Sequence, residues 1–260
     1  MATRFWVCIG SNYYKKVAAR TIGILHPGEM GVAVAATLRN SGHDACWASE
    51  GRSSETCRRA ASAGLTDAGT VAAICRHCEA IVSVCPPEFA EAMAREISGH
   101  GFQGLYIDAN AISPEKASRI ARMMEAGGVR FVDGSIIGLP ARRRGETWIY
   151  LSGRHAPEAA AWFSGGPLEV EVLEGEMGKA SALKMVFAAH TKGLAALRAA
   201  VLAASTLEKA PLGNASAAIF AIFTSGGFTI TPTLSGRVAT TRSFWVVASC
   251  LVLPPRELIW

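Results

Sequence analysis

The segment His26-Pro27-Gly28-Glu29-Met30-Gly31 directly follows the β-branched run Thr21–Leu25 and opens an apolar stretch of helical spacing, Val32–Leu38. Strand, tight turn and helix in that order present backbone N–H groups at the positive end of a helix dipole, which is chemistry for holding a pyrophosphate. In the three-glycine form of this turn, the first glycine makes the bend, the second lets backbone approach the anion, and the third lets helix and strand pack closely. His26 stands in the first place, so Pro27, with its fixed φ, has to restrain the chain there. Gly28 and Gly31 keep the other two places. A second group of residues follows the next strand-like run, in Ala48-Ser49-Glu50-Gly51-Arg52-Ser53. An acid at this distance from the glycines would hold the ribose hydroxyls of NAD, whereas a guanidinium beside a hydroxyl suits the 2′-phosphate of NADP. Glu50 and Arg52 compete for the role. Arg52 with Ser53, and Gly51 to free the backbone, favour NADP, with NAD as the alternative. The same residues also read as a solvated turn with Ser53 or Ser54 capping a helix.

Elements of the right kind surround these groups. Ala45–Ala48 is strand-like and Ser53–Ala63 helical; Ala80–Val84 is a buried strand stopped by Pro86 and Pro87; Pro87–Ile97 is helical. Leu105–Ile107 is a strand ended by Asp108, and a helix opens at Ser113-Pro114-Glu115 with Ser at N-cap and Pro at N1. Phe131–Val132 and Trp148–Leu151 are further strands. Strands alternating with helices predict crossover connections and a parallel sheet, hence an α/β fold. Lys179 to Ser205, rich in Ala, Leu and Lys and free of Pro, predicts one long helix.

Composition excludes several classes. Half of the 260 residues are hydrophobic and 18% are charged, so the chain has material for a core and is not disordered throughout. The net charge of +5 sits at the ends. Arg4, Lys15, Lys16 and Arg20 face no acid in residues 1–20, four basic residues oppose Glu208 and Glu257 in residues 206–260, and the body comes to −1. A nucleic-acid partner is therefore not expected. The apolar run Phe244–Leu253 is short for a membrane helix, Phe5–Gly10 is short for a signal peptide, and neither a span nor a leader is expected. The basic start reads as an N-terminal extension, an organelle-targeting segment being the alternative. Seven cysteines without regular spacing point to a reducing compartment and a cytoplasmic protein. No metal site is expected: Cys75-x-x-Cys78 with His77 has no second ligand pair and reads as a helical turn. Arg142-Arg143-Arg144 reads as a solvated loop, and His190 as a surface or packing residue.

The ordered blocks TIGILHPGEMG, SEGRS, VCPPEFA, DANAISPEK, VDGSIIG and GKASALKM resemble the 6-phosphogluconate dehydrogenase and β-hydroxyacid dehydrogenase superfamily over about residues 20–205. The resemblance implies a Rossmann-type doubly wound parallel sheet joined by a long helix to a helical domain. It implies a hydride transfer between NADP and a small hydroxy acid, carbonyl or imine. It places Cys85, Pro86 and Asn110 at the cofactor, and makes Lys184 the proton donor or acceptor, a role that suits a lysine whose pKa burial lowers. It places Ile137, Gly138 and Ala188 at the substrate, while Thr191, about two turns after Lys184 on the same helix face, and Lys192 on the adjoining edge are the two residues open to a rearranged substrate site. The departures are specific: Ala188 stands where the family has an asparagine one helical turn after the lysine, and Ile137-Gly138-Leu139 replaces a Ser-Gly-Gly loop. A substrate less polar than 6-phosphogluconate follows. The other reading is a catalytically degenerate NADP-binding protein, a sensor or interaction module.

Three boundaries are expected: residues 1–20 as extension, 20–177 as the nucleotide-binding domain, and 178–205 as the interdomain helix. Residues 206–260 hold six charged positions against 41 in the preceding 205, with clusters of Thr, Ser and Gly, and read as an abbreviated, irregular C-terminal region. A shifted reading frame near Thr206 or a divergent tail would each account for the change. The family's homodimer is implied only if the C-terminal domain is complete.

Overall fold

The computed structural model describes residues 18–207, 229–232 and 238–241, with side chains through residue 202. The chain runs β1 (Thr21–Leu25), α1 (Glu29–Asn40), β2 (Asp44–Trp47), α2 (Ser54–Ser62), β3 (Thr66–Asp67), α3 (Val71–His77), β4 (Ala80–Ser83), α4 (Ala90–Gly99), β5 (Leu105–Asp108), α5 (Pro114–Ala126), β6 (Arg130–Ile137), β7 (Trp148–Ser152), α6 (Ala156–Ala160), β8 (Glu169–Val172) and α7 (Lys179–Leu207). Beyond them, β9 (Thr229–Pro232) pairs antiparallel with β10 (Val238–Thr241). The expected extension lies outside the described residues up to residue 17, as does most of the expected irregular tail.

Eight strands form one sheet in the order β3-β2-β1-β4-β5-β6-β7-β8. From β3 to β6 every pairing is parallel, as the alternation of strands and helices requires. The expected all-parallel sheet departs at β6 and β7, which pair antiparallel. An antiparallel pair needs no crossover helix, and the loop joining them leaves β6 through Gly138 at φ 126°. This extends β6 to eight residues, well past the expected Phe131–Val132. Edge strands β3 and β8 went unread for a simple reason. One has two residues and the other four, which is at or below the shortest run that a strand pattern can be read from.

Both faces of the sheet are covered, so its central strands are buried apolar runs. Val34, Leu38 and Trp162 pack with Ile24, Val82 and Ile149 on one side, and Ile74, Ile97 and Ile120 pack with Leu25, Ile81 and Phe131 on the other. The strand order reverses between β1 and β4. In open α/β sheets a crevice opens at the carboxyl ends of the strands flanking such a reversal.

The chain divides into two units at Lys192/Gly193, within α7. The segment Lys179–Leu202, mean hydropathy 1.3, is long and apolar enough to cross a membrane by length and composition, a test that core helices of soluble proteins also pass.

Candidate active site

At the crest of β1 the turn adopts the geometry its residue types demand. His26 has φ 62°, the left-handed conformation a glycine would take without strain, and is the only non-glycine residue with positive φ among the described residues. Pro27 follows and is buried. The Gly28 N–H closes the turn on the His26 carbonyl at 2.7 Å. Gly31 is fixed by packing, since a Cβ there would stand 2.5 Å from the His26 carbonyl oxygen. Gly28 is different: a Cβ there would meet nothing within 4 Å. The protein itself does not need that glycine, and the open space lies at the N-cap of α1, where a phosphate would sit. Glu29 is exposed in the first turn of the helix, and Met30 is half-buried against the core.

After β2 the chain turns through Gly51 at φ 70°, with the Arg52 N–H bonded to the Ser49 carbonyl at 3.0 Å. Glu50 is exposed and its N–H is bonded to the Gly69 carbonyl. Arg52 is half-buried, and its Nε has no hydrogen-bond partner despite being buried. His26 Nδ1 is in the same condition. Burial first, and the Arg52 charge second, hold the His26 imidazole down to about pH 4, so it is neutral at physiological pH. Ser53 serves as the α2 N-cap, accepting from the Thr56 N–H at 3.2 Å, as the second reading of that residue requires. Two orphaned buried nitrogens beside a glycine turn fit a phosphorylated ligand that supplies acceptors.

The loops after β4 and β5 are clamped together by Asn110. Its Oδ1 accepts from the Cys85 N–H at 2.6 Å, and its Nδ2 donates to Ser83 Oγ at 3.1 Å. Sequence reasoning leaves this amide facing the ligand. In the structure the side chain is buried and turned inward, and its hydrogen bonds fix the loop that carries Cys85 and Pro86. Asp108 at the end of β5 accepts from the Asn110 N–H through Oδ1, while Oδ2 is buried without a partner. Burial raises its pKa to about 7, with the neighbouring Asp133 carboxylate adding to the shift.

Asp133, on β6 in register with Asp108, anchors the long helix. Its Oδ1 accepts from Ser181 Oγ at 2.6 Å, and its Oδ2 accepts from the Ser181 N–H at 3.0 Å and Ser152 Oγ at 2.8 Å. Ser152 Oγ in turn accepts from the Ala180 N–H at 3.1 Å. A buried carboxylate thus satisfies the first free N–H groups of α7 at its positive end. This network was not read from sequence, although the Asp-Gly-Ser of β6 and the serine three residues before Lys184 were both visible.

One turn beyond Ser181, Lys184 Nζ donates to the Ile136 carbonyl at 2.6 Å. Burial, then the charge of Lys192, lower its pKa from the ordinary lysine value. Lys184 lines a cleft of about 180 Å³ with Met30, Cys85, Asn110, Ile136 and Gly138. Residues from the first turn of α1, the β4 and β5 loops, β6 and α7 therefore meet in one place. Three expected substrate residues stand apart. The Ile137 side chain packs with Tyr150 and Ala180 on the opposite face of β6, so its neighbour Ile136 takes the cleft position. Thr191 is exposed, with its hydroxyl bonded back to the Phe187 carbonyl at 2.8 Å, and the half-buried Ala188 does not line the cleft. Arg143 and Arg144 lie in a loop, paired with Glu146 and Glu169, and His190 is exposed, as expected.

The sheet order, the glycine turn at its switch point and the lysine across the crevice define a nucleotide-binding α/β protein of the dehydrogenase type. Residues 21–158 match the model of the NAD binding domain of 6-phosphogluconate dehydrogenase, and the chain belongs to that family. The conserved protein MTH1747, of unknown function and described as structurally similar to 3-hydroxyacid dehydrogenases, is 31% identical. Its TM-score is 0.63, over 79% of this chain and 76% of its own. A variant imine reductase from Myxococcus stipitatus in complex with NAD+ shares the fold at 21% identity, with a TM-score of 0.62 over 79% of this chain and 72% of its own. An uncharacterised 28.5 kDa protein of Methanothermus fervidus, encoded 5′ of 7S RNA, is 28% identical over 148 residues. That match spans 57% of this chain and 56% of that relative, so the chain covers little more than half the length of the curated protein it matches.

Proposed function

We propose that this chain is an NADP-dependent oxidoreductase acting on a small carbonyl, imine or hydroxy acid, with Lys184 as the proton donor or acceptor. One observation carries the reading: Lys184 Nζ opens onto the same cleft as Met30 from the glycine-turn helix and Asn110 from the β5 loop. The nicotinamide, when bound, supplies the hydride chemistry. Gly28 leaves room for the pyrophosphate, and Arg52 and His26 offer their unpartnered nitrogens to the 2′-phosphate. Asn110 holds the Cys85 loop that borders the nicotinamide end. Lys184, with its pKa lowered by burial, exchanges a proton with the substrate oxygen or nitrogen while the Ile136 carbonyl orients its ammonium group. The cleft lining beyond Lys184 and Asn110 is largely apolar, which suits a substrate less polar than a sugar phosphate.

A small-molecule substrate, a domain division at about residues 20–177, 178–205 and 206–260, and a homodimer if the C-terminal domain is complete belong to the same proposal. The second reading, a nucleotide-binding protein without turnover, draws on Ala188, which offers no hydrogen-bonding group one turn after Lys184, and on the Thr191 hydroxyl, which is bonded back to the Phe187 carbonyl. Titration with NADPH and NADH, followed by an NADPH-consumption screen over carbonyls and imines, separates the readings. Tighter NADPH binding with turnover is expected. Binding without turnover across the screen favours the second reading, and equal affinity for the two nucleotides contradicts the assignment of Arg52.

A further inference from the structure

We propose that Cys46 and Cys78 form a peroxide-responsive dithiol that closes to an intramolecular disulfide beneath the nucleotide half of the sheet. Cys46 lies on β2 and Cys78 is the C-cap of α3, and their sulfurs approach to 2.9 Å. Two unbonded sulfurs do not normally pack so closely, and a bond of about 2.05 Å needs only a small further approach. Both residues are buried, in a cluster with Leu25, Ala48, Ile74 and Ile81. Gly23 on β1 makes the room, since a Cβ there would stand 3.4 Å from Cys78 Sγ and 2.5 Å from the Ile74 side chain.

The two thiols are unequal. The hydrogen bond from Cys78 holds the Cys46 pKa below the ordinary thiol value, while that same bond and burial push Cys78 up. Cys46 is therefore the nucleophile and Cys78 the resolving thiol. Burial of both sulfurs excludes bulky disulfides as oxidants and selects a small one, hydrogen peroxide. The Cys46 sulfur attacks one peroxide oxygen, the O–O bond breaks, and the departing oxygen leaves as water with the thiol proton, giving a sulfenic acid on Cys46. The Cys78 sulfur then attacks Cys46, the S–O bond breaks, and the hydroxyl leaves as a second water with the Cys78 proton. The thiol pair loses two electrons and the peroxide gains them. The closed loop contains α2, β3, α3 and the Glu50–Ser53 turn, so the cross-link constrains the segment that carries Arg52.

Treatment of the full chain with hydrogen peroxide, quenching by alkylation in denaturant and non-reducing peptide mapping test this. A peptide pair joining Cys46 to Cys78, lighter by two hydrogens and separated by dithiothreitol, is expected, with a reversible rise in Tm of about 5 °C or more. In Cys78→Ser the cross-link should vanish and Cys46 should accumulate as a sulfenic acid trapped by dimedone. Where that variant does not fold, the map of the parent chain decides alone. Cys46 and Cys78 remaining alkylatable after the half-buried Cys57 and Cys85 have been consumed, or a disulfide joining either of them to another cysteine, overturns the proposal.

Discussion

The two ends of the crevice are built from different materials. At β1 the site is made of backbone: a turn through His26, an N-terminal helix dipole, and a glycine whose missing side chain leaves space that the protein does not fill. At β6 and α7 it is made of side chains: a buried carboxylate bonded to two serines, and a lysine whose Nζ donates to the Ile136 carbonyl. The first end leaves space beside Gly28, whereas the second is held by side-chain hydrogen bonds around Asp133. The difference teaches where substitutions should be felt. Changes at the nucleotide end should alter binding more than folding, and changes behind the lysine should alter folding or turnover more than nucleotide affinity.

The largest expected effect is on turnover. Lys184→Met should lower it by about 10²–10⁴ while NADPH affinity stays within about twofold of the parent, because only the proton-transfer group is removed. Single-turnover kinetics on any substrate found in the screen check this. Next, Asp133→Ala leaves the Ser181 N–H and two serine hydroxyls unpartnered in the interior, and should cost about 3 kcal/mol or more in chemical denaturation. The paired glycines sharpen the comparison within one turn. Gly31→Ala drives a Cβ into the His26 carbonyl and should destabilise by about 1–3 kcal/mol. Gly28→Ala should leave Tm unchanged and weaken nucleotide binding, read by fluorescence titration.

A further expected effect is a slope, about 1.4 kcal/mol for each pH unit. Asp108 is protonated in the folded protein up to about pH 7, whereas an unfolded aspartate ionises near pH 3.9. The folded state therefore holds the extra proton between those values. This group's contribution to stability is full below about pH 4, declines by about 1.4 kcal/mol per pH unit as pH rises, and is flat above about pH 7. Denaturation of Asp108→Asn between pH 5 and 8 should show that slope removed relative to the parent.

Much of the nucleotide end was legible in the sequence, because it rests on local rules. A glycine needed for close packing, a proline after a turn and a serine before a helix each act within a few residues, and Gly31, Pro27, Ser53 and Ser113 stand where those rules place them. The α7 end was legible only in part. The resemblance pointed to Lys184, but the partners that hold its helix are 48 residues away on β6, and no period or motif joins Asp133 to Ser181. Ile137 was misplaced for a related reason: register decides which of two adjacent residues faces the cleft, and β6 was read as two residues where it has eight. Asn110 shows the converse. Its polarity drew the reading toward the ligand, whereas its hydrogen bonds hold two loops together.

The central claim is that the glycine turn and Lys184 border one nucleotide cleft, and it can be tested without knowing the substrate. Amine-specific labelling of the full chain, quantified by peptide mapping with and without saturating NADPH, reads Lys184 against the exposed Lys179 and Lys192. The account predicts that NADPH protects Lys184 at least several-fold and leaves the other two unchanged. Equal labelling of Lys184 with and without bound NADPH would contradict it.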